Sequence, residues 1–130
     1  MVSSATPAKT PREVQEIKLI CVNTDTIIAV NVKEAYSFFS RFKGLMLKKS
    51  MPENSGLHIM PCSSIHTFFM KFSIDILYLN QNNEIVGMEE GLDPGKIGKR
   101  IDNTKSVIEL PAGTIKRTSV AVGQKIALQG

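Results

Sequence analysis

Hydrophobic and polar positions along this chain follow two different periods, and the change between them predicts most of the elements. "EVQEIKLICV" alternates from about Val14, with Ile17, Leu19 and Cys21 on one face, as a half-buried strand does. "NTDT" is a turn, rich in side chains that bond their own backbone, and "TIIAVNV" is a second strand hairpin-paired with the first. The period then lengthens. Val32, Ala35, Tyr36, Phe39, Phe42 and Met46 recur at steps of three and four, which predicts a helix over 32–46, with Asn31 as N-cap and Gly44 as terminator.

Beyond the loop "KKSMPENSG", the two-residue period returns. "GLHIM", "SIHTFFM" and "IDILYLN" read as strands, and "QNNE" as a hairpin turn into "EIVGMEEGL". "DPGKIGKRIDN" has the turn formers of an exposed loop, and "TKSVIEL" is a strand. "PAGTIKRTSV" allows one helical turn, with Thr114 as cap, and Gly123 turns the chain into a last strand, "QKIALQ". The expected fold is mainly β: a compact single-domain barrel or sandwich of about eight short strands, one α-helix, and a short helical turn near the C-terminus. Residues 1–13 are expected to be a disordered lead-in and 14–130 one β-rich domain.

Composition narrows the function classes. At 130 residues, 42% hydrophobic and 22% charged, the chain can bury an adequate core without a metal or a disulfide. Cys21 and Cys62 lie in apolar runs and read as reduced core residues. The net charge of +4 is modest and the aromatics are few, so nucleic-acid binding is disfavoured. Basic residues do gather at Arg41, Lys43, Lys48 and Lys49, and again at Lys96, Lys99, Arg100 and Lys105. No apolar run approaches the ~18 residues of a membrane span, and the start has no apolar signal core, so no membrane insertion and a cytoplasmic location are expected.

The candidate chemistry centres on Asp75, between Ile74 and Ile76. A carboxylate there needs a partner, because an unpaired one in a dry core costs several kcal/mol or takes up a proton. Backbone N–H groups, a hydroxyl or a cation would serve, and Arg41 and Lys71 are the cations in view. His58, Met60, Cys62 and His66 are the residues from which a soft-metal site would be built, but Pro61 interrupts them and no zinc spacing is present; no metal and no cofactor are assigned. Cys62 with His66 is a possible nucleophile and base, without an evident third residue to orient them. "ELPAGT" is a turn into a helical start, where exposed N–H groups can receive an anion or simply turn the chain.

Three motifs resemble a known family in order and spacing. They are Arg41, Gly44, Leu45 and Met46; then Gly56, His66, Thr67, Met70, Lys71, Ile74 and Asp75; then Glu109, Leu110, Pro111, Ala112, Gly113 and Gly123. The chain is similar to the family catalogued as domain of unknown function 192. In a common version of the middle motif, Trp stands where Phe69 is, and Asn-Thr where Phe72 and Ser73 are. The resemblance implies a compact, mostly β domain and no particular activity. The reading that results is a non-enzymatic binding or accessory domain, with Arg41, His66, Thr67, Met70, Lys71 and Asp75 forming a site near the helix end and the central hairpin. Its partner would be a small polar or anionic ligand or a protein segment. The alternative is a hydrolase-like or metal-dependent enzyme using Asp75, His66 and Cys62.

Overall fold

A computed structural model describes residues 17–36 and 48–130. Among these residues seven strands form one sheet: β1 (Ile17–Cys21), β2 (Thr26–Ala35), β3 (Ser55–Ile59), β4 (Ile74–Leu79), β5 (Ile85–Leu92), β6 (Ser106–Pro111) and β7 (Ile126–Gln129), with one short helix, α1 (Thr114–Thr118), between the last two. Their order across the sheet is β5-β4-β6-β3-β2-β1-β7. All pairings are antiparallel except β2 with β3.

The sheet curls into a half-barrel until its two edges meet. Ile85 N–H donates to Gln124 O at 2.8 Å, Gly123 N–H to Ile85 O at 2.8 Å, and Ile126 N–H to Asn83 O at 2.9 Å. These bonds cap the exposed donors that an open edge would otherwise present.

Apolar residues cover both faces of the central strands. On β4, Leu77 and Leu79 join a cluster with Leu19, Val32, Ile108, Leu110 and Ile115, while Ile74, Ile76 and Tyr78 join a second with Leu57, Ile59, Met70 and Val107. Alternation along β4 therefore feeds two cores, and every residue of that strand is buried. The two hairpins expected on the sequence, β1–β2 and β4–β5, are both present.

Two expected elements differ. The helix predicted over 32–46 is strand at its start: β2 runs through Ala35, and Asn31, the expected cap, pairs with Ser55. Val32 belongs to the first cluster and Ala35 to the second, so two buried residues on opposite faces of one strand imitate a helical step of three. The remainder, 37–46, with Gly44, lies outside the described residues. "SIHTFFM" forms only a single bridge, His66 to Ile97, because Phe69 takes a left-handed φ of 66° that breaks a strand.

Candidate functional site

Asp75 is fully buried on the face of the first cluster, and its partners are backbone. Oδ1 accepts the N–H of Gly91 at 2.8 Å; Oδ2 accepts those of Gly113 at 3.1 Å and Ile115 at 2.9 Å. Among the described residues these three donors are the acid's whole set. The carboxylate ties β4 and β5 to the turn that opens α1. Of the cations expected beside it, Lys71 is exposed, and Arg41 lies outside the described residues. The same bonds occupy two N–H groups at the start of α1, and Gly113 supplies the turn with φ 95°. Thr114, expected as the cap, instead donates its hydroxyl to Pro111 O at 2.7 Å. The concavity beside this turn, about 470 Å³, is lined by Asn54, Ala112 and Arg117, among others.

Thr67 is also fully buried. It fastens the loop before β4 to the loop after β5. Its hydroxyl donates to Asp93 O at 2.5 Å and accepts the Lys96 N–H at 2.9 Å. Backbone bonds from Thr67 N–H to Lys96 O, Gly95 N–H to Thr67 O and Gly98 N–H to Ile65 O complete the zip. Gly98 has no room for a side chain: a Cβ there would stand 2.7 Å from the Tyr78 hydroxyl. That hydroxyl donates to Glu89 Oε1, which also accepts the Lys99 N–H, so the loop is held against β5. Burial, with Glu89 beside it, pushes the Tyr78 phenol far up.

The zipped loops hold a ridge of exposed side chains. Phe69 and Ile97 are each 71% exposed, and Phe68 is 38% exposed. His66 stacks on Phe68 with ring centroids 4.6 Å apart, and its Nδ1 accepts the Phe68 N–H at 3.2 Å. Lys71, Lys96, Lys99 and Arg100 are exposed on the same two loops. Met70 points the other way, into the second cluster. The residues expected to form one site are therefore divided: His66 and Lys71 are outward, Thr67 and Met70 support them, and Asp75 faces the first core.

A second acid was missed as a candidate. Glu109 is 5% exposed, and among the described residues its Oε1 has no hydrogen-bond partner. Burial pushes its carboxyl up to about 7. The signal that singled out Asp75, an acid between aliphatic residues, applies equally to Glu109, between Ile108 and Leu110.

The remaining candidates do not converge. His58 is buried; its Nδ1 pairs with the Tyr36 hydroxyl at 2.7 Å, and among the described residues Nε2 has no hydrogen-bond partner. Burial lowers its pKa against the opposing pull of Glu34, while burial and Glu34 push Tyr36 up to about 12. Met60 is exposed, and Cys62 Sγ donates to Ser64 O at 3.1 Å beside a concavity of about 460 Å³. Cys21 is buried and Cys62 half-buried, and neither forms a disulfide. Among the described residues no group of three His, Cys, Asp or Glu side chains could hold a metal.

Comparison with known proteins places this arrangement. The model of a family described as DUF192, Uncharacterized ACR, matches residues 20–128. A UPF0127 protein of Pyrococcus furiosus is 33% identical over 104 residues, covering 76% of this chain and 87% of its own. One of Thermococcus sibiricus is 34% identical over 100 residues, covering 73% of this chain and 64% of its own. Among solved structures, a protein of unknown function from Novosphingobium aromaticivorans matches with a TM-score of 0.75 at 14% identity, covering 98% of this chain and 99% of its own. A Sinorhizobium meliloti protein described as a candidate transcription regulator matches at 0.69 and 21% identity, covering 89% and 97%. At these identities the two structures speak for the fold alone.

Proposed function

The chain belongs to the uncharacterised family DUF192, and from that premise we propose that it is a non-enzymatic binding domain whose two-loop ridge docks an acidic protein segment. The observation that carries this reading is Phe69. A bulky aromatic in a left-handed backbone costs about 1–2 kcal/mol relative to an ordinary conformation. Here it also leaves 71% of the residue in water. The turn itself needs that backbone, since Met70 N–H donates to Thr67 O at 3.1 Å across it, but a phenyl ring at this position adds conformational cost and exposed apolar area without adding to the core. Both suit an anchor for a partner, since buried aromatics dominate the energetics of docking surfaces.

Charge selects the kind of segment. Lys71, Lys96, Lys99 and Arg100 are exposed on the ridge loops, while Asp93 accepts the Ser73 hydroxyl at 2.7 Å. An acidic stretch with one apolar side chain fits this field and the Phe68–Phe69–Ile97 surface. The enzyme reading has less support. Asp75 has its oxygens filled by backbone donors, and Cys62 and His66 each bond within their own loop.

Selection of random peptides on the immobilised full chain tests the proposal. Acidic sequences with an apolar anchor should be enriched, and Phe69→Ser should weaken the selected peptides about tenfold or more. Peptides without an acidic bias, or binding unaffected by both Phe69→Ser and Ile97→Ser, would contradict it.

A further inference from the structure

We infer that Glu109 anchors a second binding site, for a small cationic N–H donor such as an alkylammonium or guanidinium group, on the sheet face of the second cluster. It is separate from the ridge and does not depend on it. Pairing registers set the surroundings. Leu57 of β3 and Ile76 of β4 flank Glu109, and the row continues to Lys33 on one side and Glu89 on the other. Lys33 and Glu89 stand two strands away, roughly 10 Å at ordinary strand spacing. Lys33 is exposed, and Glu89 is engaged by the Tyr78 hydroxyl and the Lys99 N–H. The immediate neighbours of the Glu109 carboxyl in its row are therefore hydrocarbon.

This sheet does satisfy a buried acid when the acid has a structural task, as the three N–H donors around Asp75 demonstrate. Among the described residues Glu109 Oε1 receives none. A leucine in its place would remove the cost of burying an unpaired carboxyl. An incoming ammonium or guanidinium supplies the missing donors and the opposite charge, and in a dry site such a charge-assisted pair is strong. An anion would meet a repelling group. Leu57 and Ile76, which flank Glu109 in its row, provide apolar walls for the alkyl part, and 5% exposure limits the ligand to a small group. Binding draws the proton from Glu109 into solvent, so it ionises the carboxyl; no covalent bond is made or broken beyond that transfer.

Carbon-detected NMR of the full chain, with glutamate side chains labelled, reads this event. On adding n-butylammonium or methylguanidinium slightly below neutral pH, the Glu109 carboxyl resonance should move to its ionised position, and n-butanol should not move it. Glu109→Gln should weaken binding of both cations about tenfold or more. A carboxyl that titrates with pH yet ignores both cations would overturn the inference, leaving Glu109 a structural neutral acid. So would cation binding that survives unchanged in Glu109→Gln. The titration of the unsubstituted chain decides the matter even if the variant folds poorly.

Discussion

Asp75 and Glu109 lie diagonally across the β4–β6 pair, where Asp75 aligns with Leu110 and Ile76 with Glu109. One position of offset puts them on opposite faces. Asp75→Ala leaves the N–H groups of Gly91, Gly113 and Ile115 without their acceptor. At about 1–3 kcal/mol for a buried unsatisfied group, we expect a loss of about 3 kcal/mol or more in denaturant unfolding. Glu109 makes the opposite prediction. Its folded pKa of about 7 lies above the ordinary 4.5, so the native state holds the proton more tightly. Its stabilising effect is full below pH 4.5 and is lost as pH rises through about 7, a swing of about 3 kcal/mol. Unfolding midpoints measured across that window should fall with pH in the parent chain and fall less in Glu109→Gln. In the sequence the two acids look alike, each between aliphatic residues. What separates them is the donors that distant turns supply, and no local pattern encodes those.

Most strands were legible as elements because each alternates or runs apolar between turn formers; β4 and β6 are plain in "IDILYL" and "SVIELP". The errors fell where local pattern and tertiary pairing disagree. Val32 and Ala35 mimic a helix only because β2 buries one residue on each of its faces there, and His66 to Met70 mimic a strand whose backbone turns left-handed at Phe69. The ridge itself was half visible: His66 and Lys71 were singled out, but exposure of Phe69 and Ile97 follows from the zip between two loops far apart in sequence. That zip is testable through Gly98. Gly98→Ala forces a methyl against the Tyr78 hydroxyl and Ile65. We expect about 1–3 kcal/mol of destabilisation and weaker peptide binding, measured by unfolding and by titration with a ridge-selected peptide.

At the scale of the whole molecule, folding and binding occupy separate parts. The half-barrel closes through β5 and β7 and fills two clusters, while the Phe69 ring on the ridge adds exposed apolar area, and a costly residue type at a left-handed position, that the fold does not use. No helix among the described residues is long and apolar enough to cross a membrane. The net charge of +4 is too small to define a partner, but its placement on the ridge loops makes docking of an acidic segment salt-sensitive. Phe69→Gly tests this separation most directly, with unfolding free energy and affinity for a ridge-selected acidic peptide measured on one preparation. The account predicts a gain of about 1 kcal/mol in stability, because glycine accepts the left-handed backbone. It also predicts that most of the affinity is lost. A less stable protein, or one that binds the peptide as tightly as before, would contradict it.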